Sequence, residues 1–204
     1  GWSTLDLKGT WHPAGRSGAH VASFGAHSDR YKLTNPTYNT SDWIAGGPIT
    51  GTATIGEGKT RTQALWAQDV WRASPEVKVT VGVRYEEWRA FDGRNVNGAT
   101  TVRQPEVSQR GLSPKATLAW TASPQWLVTA SLGKALRFPT ASELYQLVST
   151  GTTFTAPNPY LKPDDVVAAE IKLERKLDQG RIRLSLFQDD VHDALIAQFN
   201  PLVP

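Results

Sequence analysis

Between Val77 and Tyr85 apolar and polar residues alternate without a break. Val77, Val79, Val81, Val83 and Tyr85 share one parity, and Lys78, Thr80, Gly82, Arg84 and Glu86 share the other. Successive side chains of a β-strand point to opposite faces, so this spacing predicts a strand with one apolar face. The apolar run is close to the ~9–11 residues that a tilted strand uses to cross a bilayer. Three further segments repeat the pattern. Trp126, Val128, Ala130 and Leu132 alternate with Gln125, Thr129 and Ser131, with Leu127 breaking the polar side. Val167, Ala169, Ile171 and Leu173 alternate with Ala168, Glu170, Lys172 and Glu174, and Ile182, Leu184 and Leu186 with Arg181, Arg183 and Ser185. Two residues fit badly. Asp69 shares the parity of Leu65 and Trp71, and Arg175 that of Leu173 and Leu177. A lipid-facing Arg costs ~2–4 kcal/mol at the midplane and only ~0–1 near an interface, so Arg175 is expected near the Asp178 turn and an interface.

The connections come in two lengths. Short turns, rich in Pro, Gly, Ser and Asp, lie at His12-Pro13-Ala14-Gly15, Ala73-Ser74-Pro75-Glu76, Ala122-Ser123-Pro124 and Asp178-Gln179-Gly180. Between them are longer polar stretches, about 34–58, 92–109 and 135–164. This predicts roughly eight strands joined alternately by tight turns and long loops, the asymmetry of outer-membrane barrels with short periplasmic turns and long extracellular loops. Trp11, Trp71, Trp120 and Trp126 all stand beside short turns. Indole favours the headgroup level of a membrane, so these four predict a girdle at one interface.

Composition narrows the picture. The 204 residues are 39% hydrophobic, with no Cys and no Met. No run approaches the ~18 apolar residues of a membrane helix. The mean hydropathy of −0.38 is compatible with barrel strands, which expose only alternate residues to lipid. The missing Met and the lack of a basic-then-apolar leader lead us to expect an internal piece of a longer protein. Without Cys there is no disulfide scaffold or thiolate metal site. The net charge of +3 is scattered and leaves no nucleic-acid footprint.

Several segments, in one collinear order from about Thr60 to Ile196, resemble the TonB-dependent outer-membrane receptor family. They begin with Gln63-Ala64-Leu65-Trp66-Ala67-Gln68-Asp69-Val70-Trp71, followed by Gly82-Val83-Arg84-Tyr85-Glu86. Leu112-Ser113-Pro114-Lys115 then leads into a strand ending at Trp120. Gly133-Lys134-Ala135-Leu136-Arg137-Phe138-Pro139-Thr140-Ala141-Ser142-Glu143-Leu144-Tyr145 is similar to the family's G-x-x-x-R-x-P-T-x-x-E-L-Y segment. Asn158-Pro159-Tyr160-Leu161-Lys162-Pro163-Asp164 is similar to its N-P-x-L-K-P-E segment, with Asp164 in place of Glu. A strand bearing Glu170, a tight turn and the stretch from Leu184 to Ile196 complete the order. Residues 1–58 share only the architecture and the segment from Phe24 to Trp43.

The resemblance implies uptake of a scarce nutrient, most often a ferric siderophore, by a barrel of about 22 strands around an N-terminal plug. The 204 residues are then expected to be a partial barrel domain, roughly eight antiparallel transmembrane strands, without the plug and the remaining strands. Expected partners are outer-membrane lipid, a small-molecule ligand such as a ferric siderophore, and the TonB complex through the absent plug region. The complete protein is expected to be a monomer that does no covalent chemistry and uses no cofactor. The chain's last residues, Pro201-Leu202-Val203-Pro204, are not an aromatic strand end.

No constellation predicts an active site. Gly56-Glu57-Gly58-Lys59-Thr60 resembles the end of a phosphate loop, but Ala53 replaces the first Gly and a strand follows instead of a helix. His12, His20, His27 and His192 lack metal spacing, and His20 and His27 differ in parity. The adjacent carboxylates Glu86/Glu87, Asp164/Asp165 and Asp189/Asp190 point to opposite faces of a strand. Pro139 and Pro163 interrupt the third long connection, where Thr140 or Ser142 is placed to cap a short helix through Tyr145 with Glu143 in its first turn. Three residues are candidates for ligand contact: Tyr38 and Trp43 in the first long loop, by stacking, and Arg137, for which structural anchoring is the favoured role. The rival readings are a soluble β-sandwich or lectin-like binding module, with the apolar faces sealed against each other, and a self-contained eight-stranded barrel.

Overall fold

The computed structural model describes residues 1–150, 153–155 and 157–194. In chain order its strands are β1 (Trp2–Trp11), β2 (His20–Thr40), β3 (Ile49–Arg72), β4 (Val77–Asn97), β5 (Thr100–Arg103), β6 (Val107–Ser123) and β7 (Trp126–Arg137). A helix α1 (Ala141–Tyr145) and a small hairpin of β8 (Val148–Thr150) and β9 (Thr153–Thr155) follow, then β10 (Asp164–Leu177) and β11 (Gly180–His192). The eight long strands β1, β2, β3, β4, β6, β7, β10 and β11 lie side by side in that order, each antiparallel to the next. β5 pairs antiparallel with the end of β4, and β8 pairs only with β9 among the described residues. The sheet is open among the described residues, with β1 and β11 at its two edges.

Cross-strand register sorts every side chain below the long connections onto one of two faces. Leu7, Ala26, Leu65, Tyr85 and Leu112 form one continuous row, and Asp6, His27, Ala64, Glu86 and Gly111 form the row beside it on the other face. The apolar face has no second layer on it. Leu65 is 65% exposed, Val81 50%, Leu132 57%, Ile171 59% and Leu186 68%. A β-sandwich would have buried these residues, and the single sheet rules that reading out. A contiguous apolar face of this extent does not persist in water on a soluble monomer. It fits a sheet whose outer face is wetted by lipid.

Trp11, Trp71, Trp120 and Trp126 all fall on this outer face. Going from β1 to β7, each Trp lies one same-face position nearer the short-turn end than the last. Trp11 is opposite Ala22, which is opposite Asp69, two residues short of Trp71; the same step recurs to Trp120 and again to Trp126. The total offset is ~20 Å along the strands over ~24 Å across them, at ~3.3 Å per residue and ~4.8 Å per strand. If the four rings mark one level, the strands tilt by about 40°, the tilt of a closed barrel.

The two misfits on this face find partners near that level. The Asp69 carboxylate lies 2.7 Å from His20 Nδ1, and His20 stacks on Trp71 at 5.9 Å. The guanidinium of Arg175 lies over the ring of Trp126 at 5.2 Å. Arg175 thus sits beside the girdle, where its charge costs little.

The expected long loops are shorter than their polar stretches. β2 runs to Thr40 and β3 begins at Ile49, so most of 34–58 is paired strand. Most of 92–109 likewise belongs to β4, β5 and β6. The end of β2 carries Thr and Asn on both faces, so its alternation vanishes while its backbone pairing continues; in β3 a weak alternation of Ile49, Ala53 and Ile55 with Thr50, Thr52 and Thr54 persists. Only 138–163 is a connection in the expected sense.

Candidate functional site

The inner face is polar along most of its height. His27 stands between two carboxylates, with Nδ1 2.7 Å from Asp6 and Nε2 3.2 Å from Asp29. Asp29 also accepts the backbone N–H of Thr62 at 3.2 Å, and Arg84 pairs with Glu86 at 2.8 Å. The next row crosses five strands as Lys8, Gly25, Trp66, Arg84 and Ser113. The ring of Trp66 crowds Gly25, where a Cβ would come within 2.7 Å of it. Lys115 similarly crowds Gly82. Together Lys8, Trp66, Gln68, Arg84 and Lys115 line a recess of about 410 Å³ in the wall. This wall can hold water, charged groups and hydrogen-bonding partners.

A strap crosses the inner face at the long-connection end. After β7 the chain turns at the buried Pro139, and Thr140 caps α1 with a reciprocal box: its Oγ1 accepts from the N–H of Glu143 at 3.2 Å, and its own N–H donates to Glu143 Oε2 at 2.8 Å. Arg137 clasps both ends of the strap. Its Nε donates to Asp164 at 2.6 Å and its Nη1 to Glu143 at 3.0 Å. Burial acts against ionised Glu143, but the hydrogen bonds from Thr140 and Arg137 prevail and hold its carboxyl below the usual range.

The strap docks on β2, β3 and β4, strands remote from β7 in the sheet. Leu144 and Tyr145 are fully buried and join Trp88 and Ala90 in a small core. Phe138 stacks on Trp88 at 5.8 Å. Tyr145 is seated on bare backbone: a Cβ at Gly56, Gly58 or Gly93 would overlap it. Gly93 reaches the inner face because Asp92, at φ 55°, opens a bulge where two residues of β4 oppose one of β3. The side chain of Asn95 donates to the Tyr145 carbonyl at 2.7 Å, and Gln104 donates to Asn95 at 2.7 Å. The Tyr145 hydroxyl is buried without a hydrogen-bond partner. Burial, then the charges of Glu106 and Asp92, push its pKa up to about 12.

The candidates for ligand contact lie in different places. Tyr38, half exposed, is where the register of β2 and β3 shifts, and Trp43, 82% exposed, is in the turn between those strands. Arg137 is engaged with Glu143 and Asp164 instead. The seat of Tyr145 was missed from sequence. In the sequence Gly56 and Gly58 resemble only the end of a phosphate loop, although two glycines at i and i+2 in a strand leave one face bare. Among the described residues no group of three His, Asp or Glu side chains is placed to hold a metal. Leu195 and Ile196, at the end of the last matching stretch, lie outside the described residues.

An antiparallel sheet that is apolar outside and polar within, with tight turns at one end and, at the other, strands that run on past the apolar band and one long connection over 138–163, defines the wall of a bacterial outer-membrane type of β-barrel. The chain belongs to the TonB dependent receptor-like, beta-barrel family, whose pattern matches residues 2–203. Members of that family are receptors and transporters. No curated protein matches the chain. Solved structures share the fold. The copper transporter OprC aligns with TM-score 0.69 and 16% identity over 93% of this chain and 30% of its own. The closed form of the ferric-catecholate import receptor Fiu from E. coli K12 aligns with TM-score 0.69 and 18% identity over 93% and 31%. The hemophore receptor HasR of Serratia marcescens, in complex with HasA and heme, gives TM-score 0.63 and 16% identity over 93% and 32%. The chain therefore spans just under a third of the length of these structures.

Proposed function

We propose that this chain is a stretch of barrel wall from an outer-membrane receptor that imports a ferric siderophore with energy delivered through TonB. The observation that carries the reading is the two-faced sheet, with a stepped row of four Trp on its apolar side and a charged recess on its inner side. In this reading the short turns face the periplasm and the long connections face the outside. The TonB contact belongs to a plug domain of the whole protein, beyond these 204 residues. The barrel contributes the lumen wall and the outer loops, and the whole protein works as a monomer without covalent chemistry.

A metal species is named for all three structural relatives above, and iron, as ferric catecholate or heme, for two of them. Tyr38 and Trp43 offer exposed aromatic surface to a planar ligand on the outer side. For Arg137 we favour an anchoring role, holding the strap across the wall.

The test is uptake. Cells lacking the receptor gene, complemented with the intact receptor, should accumulate radio-iron from at least one siderophore of a panel, and lose that uptake when tonB is deleted or the proton gradient is collapsed. Trp43→Ala should reduce uptake several-fold with expression unchanged. Uptake that persists without TonB, or a receptor recovered folded in buffer without detergent, would overturn the reading.

A further inference from the structure

Above the apolar band, the outer face carries cations packed side by side. Arg30, Arg61 and Arg89 are direct cross-strand partners on β2, β3 and β4. One same-face step further from the girdle, Lys32 is opposite Lys59, which is opposite Phe91. Like charges directly opposite each other destabilise a sheet. Here five cations share three neighbouring strands. Local carboxylates neutralise only two of them: Lys59 reaches Asp92 at 2.7 Å and Arg89 reaches Glu106 at 3.2 Å. Arg30 lies over the ring of Phe91 at 5.7 Å. Arg30, Lys32 and Arg61 are exposed and have no carboxylate partner among the described residues. Such an arrangement calls for an external anion.

The position identifies the anion. Ten residues of β3 separate Trp71 from Arg61. At ~3.3 Å per residue and a tilt near 40° this is about 25 Å of height, the thickness of the apolar band of an outer-membrane barrel. The cations therefore stand at the opposite interface from the Trp girdle, on the face that carries Leu65 and Tyr85 into lipid. We propose that this grid binds the phosphorylated headgroup of an anionic lipid in the outer leaflet. Arg presents a planar fork of donors that matches phosphate oxygens, and Lys adds a point charge beside it. A headgroup phosphate bridging Arg30 and Arg61 replaces their repulsion with shared attraction. The proposal rests on the membrane reading of the sheet given above.

The test uses the intact receptor in dodecyl maltoside micelles doped with bis-phosphorylated lipid A, with fully dephosphorylated lipid A, or with inorganic phosphate alone. The variant Arg30→Gln/Lys32→Gln/Arg61→Gln is compared with Arg16→Gln/Lys162→Gln/Arg181→Gln, which removes as many exposed cations elsewhere. Lipid retention is read by native mass spectrometry, and stability by thermal midpoint with and without lipid. Wild type and the control should retain the phosphorylated lipid, and the grid variant at least tenfold less. In lipid-free micelles the grid variant should be as stable as wild type or more so, because like charges have been removed. The proposal is overturned if the grid variant retains lipid as wild type does, if it is less stable than wild type without lipid, or if dephosphorylated lipid binds equally. It is also overturned if inorganic phosphate stabilises the wild type as much as the lipid does. A protein folded and monomeric without detergent would instead sink the membrane reading itself.

Discussion

The ring of Tyr145 fills the space that a side chain at Gly58 would need. The strap after β7 thus reaches β3 by placing a full aromatic side chain against bare backbone. This relationship makes Gly58 a packing position, although its residue type suggests a turn.

Gly58→Ala should therefore destabilise the strap. Overpacking at a tight contact costs ~1–3 kcal/mol. At Gly51 an added Cβ meets nothing within 4 Å, so Gly51→Ala should be neutral. The check is thermal midpoint in detergent together with protease cleavage between β7 and β10, which should rise for Gly58→Ala alone.

Tyr145 should make the same docking sensitive to alkali. Its hydroxyl pKa is pushed up to about 12 by burial, so the neutral form is the one that fits. A folded-state pKa above the unfolded value of about 10 gives stability that is complete below 10 and lost as pH rises towards 12. Tyr145→Phe should be neutral or stabilising near neutral pH, by up to about 1 kcal/mol, because the hydroxyl has no partner. It should also flatten the alkaline loss of strap protection in a pH series of protease digestion.

The Arg137 clasp should behave as a coupled, partly exposed pair. A double-mutant cycle between Arg137→Ala and Glu143→Gln should return a coupling of ~0.2–1 kcal/mol, shrinking with salt. The carboxyl of Glu143 is held below its ordinary value, so its contribution is present above that value and lost as pH falls through the lowered one. Arg137→Lys, which lacks the fork needed to reach Asp164 and Glu143 together, should loosen the strap measurably without changing overall β content.

The membrane-facing half of the sheet was legible in the residues because lipid on one face and water on the other imposes period two. Val77 to Tyr85 and Ile182 to Leu186 read correctly for that reason, and the parity of the four girdle tryptophans is visible in the sequence alone. Thr140 and Glu143 likewise carried a local signal, since a capping box is confined to four neighbouring residues. The upper part of β2 was hidden: from Thr34 to Thr40 both parities carry Thr or Asn, and no alternation distinguishes a paired strand from a loop. The seat of Tyr145 was hidden for another reason. Its partners Gly58 and Gly93 lie far from it in sequence, and Gly93 turns inward only through the Asp92 bulge. Asp69 breaks the parity of its strand for a reason that lies 49 residues away, in His20, whereas the place of Arg175 near the short turn is readable locally and its contact with Trp126 is not.

Charge placed on the two faces should have opposite consequences. Val81 is midway along the apolar run of β4, so Val81→Arg should cost ~2–4 kcal/mol in a bilayer. Thr80→Arg, on the inner face, should cost far less. Reversible unfolding in lipid vesicles separates the two, and comparable losses would show that both faces meet the same medium.

The most direct test asks which medium touches each residue from Val79 to Arg84. The 204 residues contain no Cys, so with any Cys elsewhere in the receptor replaced, single Cys substitutions at these six positions can each carry a nitroxide without background labelling. In the intact receptor reconstituted into lipid vesicles, we expect labels at 79, 81 and 83 to collide mainly with oxygen dissolved in the bilayer. Labels at 80, 82 and 84 should collide mainly with a water-soluble nickel chelate. A profile without period two, or one with water at the valine positions, would contradict the account.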